Sequence, residues 1–292
     1  MEPGITTIAA NGLEFACLTD GPEDGPLALC LHGFPDSAHT WRYLLPELAA
    51  AGFHAVAPFL RGYAPTPLAP DGRYQVGALV QDANALHEVL GGGDDAVLLG
   101  HDWGALATYG AVAHQPARWR RAVAAAVPPT ASIGMSLLTY AQLQKSWYMF
   151  FFLSPLAEAA LPLDDYAFLA DLWRDWSPGY DGAWDVARVK ESIGDPERIV
   201  AAISYYRAMW DPTLQVPELA DEQAAVLAPT IVGQHVMPVL GLITVNVPLA
   251  VGLIYTEPVG ALAEKLFTEA GSASGAAAEP TLAAVESSTS VL

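Results

Sequence analysis

The sequence predicts an α/β fold in which a mostly parallel sheet is covered by helices on both faces. The main observation is an alternation through the first half of the chain, where short apolar runs typical of strands are separated by stretches with helical periodicity. A second is that 292 residues with 52% hydrophobic side chains can bury a large core. A third is a tight turn between two glycines, Gly100 and Gly104, directly after one apolar run.

The predicted strands begin with a hairpin and continue as separate buried runs. The hairpin turns at Asn11-Gly12, a dipeptide typical of two-residue β-turns. The later runs are short and apolar along their whole length, as expected of parallel strands covered on both faces. The predicted strands are Ile5–Ala10, Leu13–Leu18, Leu27–Leu31, His54–Ala57, Ala96–Leu99 and Ala122–Val127, and the predicted helices are Trp41–Ala51, Val76–Leu90 and Gly104–Ala113.

The composition changes after Pro128-Pro129. From Ala131 to about Trp210 the chain is rich in aromatic residues and looks helical, which predicts an inserted helical cap with an apolar face. We expect most of these aromatic side chains to pack the core of the cap itself. The predicted division is a first part of the core at 1–130, the cap at 131–215, a divergent remainder of the core at 216–268 and a disordered tail at 269–292.

Charge and cysteine content exclude several classes of function. A formal charge of −19 argues against nucleic acid and anionic membrane surfaces as partners. The two cysteines, Cys17 and Cys30, have neither metal-binding nor disulfide spacing. The first residues lack the basic and apolar regions of a signal peptide, so a cytoplasmic location is expected. The sequence implies no metal and no organic cofactor.

The glycine-flanked turn carries the clearest chemical signal. Residues 98–104 read Leu-Leu-Gly-His-Asp-Trp-Gly, which is a strand running into a nucleophile elbow with Asp102 at its centre. A carboxylate in this position attacks a saturated carbon and forms an alkyl ester, a form of covalent catalysis. Asp102 therefore points to epoxides or alkyl halides as substrates, rather than to esters or amides.

Three motifs together resemble a known family. They are His32-Gly33-Phe34-Pro35 after a strand, the Asp102 elbow, and two cap segments, Trp147-Tyr148 and Tyr205-Tyr206-Arg207. Over roughly residues 5 to 230 the chain resembles an epoxide hydrolase of the α/β-hydrolase superfamily, near the haloalkane dehalogenases. The resemblance implies an α/β-hydrolase core, a mostly parallel sheet flanked by helices, with an inserted helical cap.

The resemblance also implies a role for each motif. Asp102 is expected to attack the epoxide, while the hydroxyls of Tyr148 and Tyr206 protonate the opening oxygen, with Tyr205 as the alternative to Tyr206. The backbone N–H groups of Phe34 and Trp103 are expected to form an oxyanion hole. The substrate is expected to be a small apolar molecule. The residues expected to support these groups are His32, Gly33, Pro35 and His101.

The acid and the histidine that the family needs for ester hydrolysis are missing from their usual places. Ala228–Val232 looks like the strand that should precede the acid, but the following turn contains His235 and no aspartate. Thr256-Glu257-Pro258 faintly resembles the segment after the histidine, and counting back places the histidine near Gly252. We therefore expect Asp102 to be alkylated and the resulting ester to persist.

Several readings of this final part of the chain stay open. It could belong to a pseudoenzyme or to a truncated or frame-shifted gene product. It could also be a membrane anchor, since Met237–Tyr255 is uncharged and about long enough to span a bilayer, but Asn246 and Pro248 within it argue against a membrane helix. His235 could also replace the missing base. The alternative functions are a haloalkane dehalogenase-like hydrolase and a non-catalytic protein that binds an apolar ligand. Phe34 stands where dehalogenases often place a second halide donor, which favours the epoxide.

Overall fold

A seven-stranded sheet runs through the part of the chain that the computed structural model describes, which is residues 4–130, 133–134, 137–227 and 240–242. The spatial order is β1-β2-β4-β3-β5-β6-β7. The β1–β2 and β2–β4 pairs are antiparallel and the other pairs are parallel. The strands are β1 Gly4–Ala10, β2 Leu13–Asp20, β3 Leu27–Leu31, β4 His54–Pro58, β5 Val97–His101, β6 Arg121–Ala125 and β7 Leu240–Leu242.

The hairpin and the central strands form where the sequence predicts them. Asn11 and Gly12 both have positive φ, 46° and 73°, as a type I′ turn requires, and Ala10 pairs with Leu13 across it. In the middle of the sheet, every residue of β3 and β5 is buried, which is why both read as uninterrupted apolar runs. The prediction of a mostly parallel sheet flanked by helices is confirmed.

One predicted helix is divided. In place of a continuous Trp41–Ala51 helix, the chain forms a 3₁₀ turn over Ala38–Trp41 and then α1, Leu44–Ala50. Pro46 explains the break, because its ring would collide with the carbonyl four residues earlier in an α-helix that began at Trp41. Starting at Leu44 places the proline in the first turn, where no hydrogen bond from its nitrogen is needed. The next two helices are α2, Val76–Val89, and α3, Trp103–His114.

Between Tyr140 and Trp210 the described chain forms six helices, which are here named the 140–210 helices. The longest, α9, begins at Pro196, and the carboxylate of Asp195 caps it by accepting from the amides of Glu197 and Arg198. In α7, residues 164–166 have positive φ, so regular helix begins after them. The set is α4 Tyr140–Lys145, α5 Trp147–Phe151, α6 Leu156–Ala160, α7 Leu163–Trp176, α8 Ala183–Ile193 and α9 Pro196–Trp210, and α10 Ala220–Leu227 comes after it.

The 140–210 helices are tied to loops that leave the carboxyl ends of β3 and β4. The indole of Trp173 donates to the carbonyl oxygen of Pro35 at 2.8 Å, and the hydroxyl of Tyr205 donates to that of Arg61 at 2.7 Å. Arg198 donates to the carbonyl oxygen of Thr66 at 2.8 Å. These bonds place the helices over the end of the sheet where Asp102 lies.

A buried ion pair fixes the loop after β4. The guanidinium of Arg61 donates twice to the Asp82 carboxylate, each time at 2.6 Å, and both side chains are almost fully buried. The Asn11 amide adds a third bond to Asp82 at 2.7 Å, which links the β1–β2 hairpin to the same carboxylate. Arg61 also faces the exposed carboxylate of Asp71 at 3.6 Å. Because two parallel hydrogen bonds join the guanidinium to the carboxylate, this ion pair fixes the orientation of the loop after β4.

Several sequence predictions lie outside the described residues. These are the strand at Ala228–Val232, the disordered tail and the position near Gly252. Of the candidate membrane span Met237–Tyr255, only Leu240–Leu242 is described, and it pairs with β6 as a short parallel strand. Over the residues with described positions, no helix has the length and apolar character needed to cross a bilayer.

Candidate active site

Asp102 lies at the point where β5 turns into α3. Its backbone has φ 54° and ψ −114°, a strained conformation for a residue with a side chain. The turn is possible because both flanks are glycine. A Cβ at Gly100 would lie 2.1 Å from the carbonyl oxygen of Gly104, and a Cβ at Gly104 would lie 2.1 Å from that of Leu31. The elbow geometry is the one that the residue pattern predicts.

The loop after β3 presents its backbone to the Asp102 carboxylate. The amide of Phe34 donates to Oδ1 of Asp102 at 2.7 Å, and the amide of Trp103 also faces the carboxylate. Gly33 is required for this approach, because a Cβ there would lie 2.3 Å from Oδ1. Two N–H groups therefore converge on one carboxylate, which is the arrangement expected of an oxyanion hole.

His32 holds this loop in place. Its Nε2 accepts from the amide of Leu60 at 3.0 Å, so the proton of the neutral ring is on Nδ1, which lies 3.0 Å from the carbonyl oxygen of Gly33. Burial lowers the pKa of His32 to about 3, which keeps the ring neutral. The ring bridges the loops after β3 and β4.

Burial and hydrogen bonding act in opposite directions on Asp102. Burial raises the pKa of this carboxyl to about 6, while the amides of Phe34 and Trp103 favour the ionised form and limit the rise. The carboxyl is therefore mostly ionised at neutral pH. It is a carboxylate with little water around it, which is the state that a nucleophile needs.

Two tyrosines of the 140–210 helices face this carboxylate. Tyr148 on α5 and Tyr206 on α9 have ring centroids 5.9 Å apart, and the Tyr206 ring lies 4.8 Å from that of Trp103. Burial raises the pKa of both phenols far above the ordinary value, and the charge of Asp102 raises it further. Both hydroxyls therefore keep their protons beside Asp102. Within the described structure, the Tyr206 hydroxyl has no hydrogen bond of regular geometry.

Tyr205, the alternative to Tyr206 in the sequence, points elsewhere. Its hydroxyl donates to the carbonyl oxygen of Arg61 and its ring stacks on Tyr63 with 6.2 Å between centroids. Successive residues of a helix point in different directions, so only one of the pair can face Asp102. That residue is Tyr206.

A small cavity of about 20 Å³, room for about one water molecule, adjoins the elbow beneath α7. Sequence reasoning assigned no role to Asp36, although it directly follows the His-Gly-Phe-Pro motif, and gave His101 only a supporting one. Both side chains are buried, and Nδ1 of His101 lies 3.9 Å from Oδ2 of Asp36. Burial raises the pKa of Asp36 to about 8 and lowers that of His101 to about 4. The cavity is lined by Phe34, Pro35, Asp36, His101, Trp173, Trp176 and Ser177.

The site contains no candidate metal centre among the residues with described positions, since no three His, Cys, Asp or Glu side chains cluster there. His235, the histidine that follows the 140–210 helices, lies outside the described residues. The structure therefore brings together Asp102, Tyr148, Tyr206 and the amides of Phe34 and Trp103. It gives no position for a base from the final part of the chain.

Comparison with known proteins agrees with this geometry. A profile of the alpha/beta hydrolase fold family matches residues 26–224. Epoxide hydrolase 3 of Mus musculus is 31% identical over 209 residues, which are 70% of this chain and 56% of that protein. The chain thus spans less than two thirds of the mouse relative's length.

Two further relatives match over more of their own length. The AB hydrolase superfamily protein YfhM of Bacillus subtilis is 30% identical over 207 residues, which are 69% of this chain and 72% of that protein. The crystal structure of Bacillus megaterium epoxide hydrolase in complex with an inhibitor is 29% identical, with a TM-score of 0.62 over 77% of each chain. The resemblance found in the sequence motifs is confirmed: the chain belongs to the α/β-hydrolase fold family and is epoxide hydrolase-like.

Proposed function

We propose that this protein opens epoxides by forming an ester on Asp102. The observation that carries the proposal is the set of groups around one carboxylate, with the amides of Phe34 and Trp103 on it and the protonated hydroxyls of Tyr148 and Tyr206 beside it. An ionised carboxylate next to two acids is what epoxide opening requires. The ring oxygen becomes an alkoxide, which leaves readily only if it is protonated.

The first half-reaction needs only these residues. A carboxylate oxygen of Asp102 bonds to an epoxide carbon, the bond from that carbon to the ring oxygen breaks, and the ring oxygen takes a proton from Tyr148 or Tyr206. The 140–210 helices act as a cap over this step. Their aromatic side chains, which pack around Phe34 and Phe152, favour a small apolar substrate.

We further propose that the second half-reaction is impaired. Water must attack the ester, and the amides of Phe34 and Trp103 are placed to stabilise the oxyanion that forms. The sequence, however, has no aspartate after Ala228–Val232 and no histidine near Gly252. The ester is therefore expected to accumulate on the enzyme, so that turnover is slow or absent.

Intact-protein mass spectrometry after incubation with styrene oxide, a small aryl epoxide, tests the first half-reaction. The expected result is a mass increase of one epoxide in the wild type and none in Asp102→Asn. Tyr206→Phe is expected to slow adduct formation at least about tenfold, since general acids typically contribute 10²–10⁴. Tyr205→Phe is the matched control from the same helix, because its hydroxyl bonds to Arg61, and adduct formation should persist in it.

One observation favours a second candidate. The indole N–H of Trp103 has no regular hydrogen-bond partner in the described part of the chain, so it could donate to a halide. Phe34 offers no second side-chain donor. Chloride release from a chloroalkane without opening of styrene oxide would select the dehalogenase. Tight binding of an apolar ligand that Asp102→Ala leaves unchanged, with no adduct from either compound, would select a binding protein.

A further inference from the structure

We propose that the uncharged segment Ile243–Tyr255 of this chain packs over the outward side of helices α4 and α5. Such packing would give the final part of the chain a structural role that is independent of the chemistry of Asp102. The surface that it would cover is here named the outer apolar face, and it consists of Tyr140, Leu143, Trp147 and Phe150 on these two helices and of Trp210 on α9.

Helix α5 carries apolar side chains on all sides. Tyr148 and, one turn later, Phe152 point inward, where Phe152 is fully buried and Tyr148 faces Asp102. Trp147 and Phe150 point outward and are 47% and 39% exposed. A helix that is apolar all round is normally buried on every side. The outward side of α5 therefore lacks the polar residues that a solvated helix surface carries.

The outer apolar face continues from α5 onto α4 and α9. The amide of Ser146 donates to the carbonyl oxygen of Gln142 at 2.8 Å, so α4 leads directly into α5. The members of the face on these two helices recur every three or four residues, which places them on one side. The rings of Phe150 and Trp210 add a contact to α9, with 5.5 Å between their centroids. Apolar surface of this extent on a protein usually marks an interface.

Charged side chains are nearly absent from both proposed partners. From Ala122 to Ala157 the only charged residue is Lys145, and Ile243–Tyr255 contains none, although the whole chain has 32 acidic residues. No buried charge would therefore oppose their association. The same formal charge of −19 disfavours anionic lipid as the cover.

The sheet brings the proposed segment to the end of the molecule where the 140–210 helices lie. Strands β6 and β7 are parallel, and Ala125 is paired with Leu242. The carbonyl oxygen of Ala125 also accepts from the amide of Asp102 at 3.2 Å. The chain that follows Leu242 therefore leaves the sheet at the end occupied by Asp102, beside the chain that follows β6 and leads to α4.

The distance to the outer apolar face is short for this segment. β7 is two strands away from β5, which is about 10 Å, and the far side of a helix lies about 10 Å beyond the site that it faces. Residues 243–255 can span roughly 40 Å when extended. Because the segment is tethered, its effective concentration at the face is on the order of millimolar. A second copy of the chain or a lipid would have to bind from solution.

Photo-cross-linking in the whole chain tests the proposal. p-Benzoylphenylalanine in place of Phe150 reacts on irradiation with C–H bonds that it contacts, and mass spectrometry of the digested protein identifies the product. The expected product joins position 150 to a residue of 243–255 in the same chain. The matched control carries the same group in place of Val89, an exposed apolar residue of α2, and should give no link to 243–255.

Thiol reactivity measures the cover by an independent route. Cys17 and Cys30 are buried, and burial raises the pKa of both thiols, so neither should react with iodoacetamide in the folded protein. The new thiol of Phe150→Cys should react at least about tenfold more slowly than that of Val89→Cys. Each rate is scaled to the rate of the same variant unfolded in urea.

Charge placed in the segment should remove this protection. Leu249→Asp and Leu253→Asp together should raise the rate of Phe150→Cys to that of Val89→Cys, because a carboxylate resists burial against an apolar surface. The rate of Val89→Cys should stay the same when both aspartates are added, which shows that the core remains folded.

Other covers of the outer apolar face give different results. A cross-link from position 150 to a second chain, to lipid of added phosphatidylcholine vesicles or to another part of the same chain would overturn the proposal, as would the absence of any cross-link. Equal scaled rates for Phe150→Cys and Val89→Cys would show that the face is open to solvent. Protection that survives both aspartates would show that a segment other than 243–255 covers it.

Discussion

Asp102→Asn is expected to make the protein more stable at neutral pH, although it removes the nucleophile. The carboxylate is partly buried, and its pKa is raised from 3.8 to about 6 because burial disfavours the charge more than the amides of Phe34 and Trp103 favour it. The folded state therefore holds the proton more tightly than the unfolded chain. The asparagine side chain has nearly the same shape and keeps an oxygen for the Phe34 amide, but carries no charge.

The magnitude follows from the pKa difference. A shift from 3.8 to about 6 corresponds to about 3 kcal/mol at about 1.4 kcal/mol per unit. Because the folded pKa is raised, the stabilising contribution of the protonated form is complete below pH 3.8 and is lost as pH rises through about 6. The advantage of Asp102→Asn over the wild type should thus be negligible below pH 3.8 and reach about 3 kcal/mol at pH 7.

Urea unfolding of both proteins at several pH values between 4 and 7.5 measures this difference. Asp94→Asn removes the same charge from an exposed position on the surface, and it should change the free energy of unfolding by less than about 0.5 kcal/mol. The reasoning is refuted if the advantage of Asp102→Asn is the same at every pH, or if the variant is less stable than the wild type at pH 7.

Three other predictions follow from the same structure. The rate of adduct formation with styrene oxide should have its midpoint near pH 6 and fall about tenfold per pH unit below it, because only ionised Asp102 attacks. Mass spectrometry of samples quenched at set times measures this rate, and a midpoint near pH 4 would contradict the prediction. Gly104→Ala should lower the free energy of unfolding by about 4 kcal/mol or more, because its Cβ would meet a backbone carbonyl that cannot yield; soluble, wild-type-like protein by circular dichroism would count against it. Asp82→Asn should lower the free energy of unfolding in urea by about 3–5 kcal/mol, because Arg61 loses its buried partner. Asp71→Asn, at the exposed carboxylate that faces the same arginine, should lower it by about 1 kcal/mol or less. Equal losses would show that burial does not decide how much each ion pair contributes to stability.

The sequence predicts those parts of the fold in which a local pattern has only one physical solution. Leu27–Leu31 is an apolar run bounded by a proline and by the His-Gly motif, and it is a strand over the same five residues. Asn11-Gly12 requires positive φ at both residues and is found in a hairpin turn. Gly100 and Gly104 allow the close backbone approach that the strained turn at Asp102 needs, so the elbow could be predicted from the residue types alone.

Features that depend on contacts between distant residues could not be predicted in this way. Nothing in the spacing of Tyr205 and Tyr206 says which hydroxyl is held by Arg61, since that depends on the rotation of α9 about its axis. The cavity next to His101 is formed by loops and by α7, which are far apart in the sequence. The buried position of Asp36 likewise results from packing by the 140–210 helices, which no local pattern near it indicates.

The ties between the 140–210 helices and the loops of the sheet have a consequence for how the protein can vary in evolution. The acceptors of Trp173, Tyr205 and Arg198 are main-chain carbonyl oxygens, at Pro35, Arg61 and Thr66. Every amino acid supplies a carbonyl oxygen, so mutations that change a loop side chain but not the path of the loop preserve the docking of the helices. Substitutions in these loops can therefore accumulate while the 140–210 helices keep the same position on the sheet.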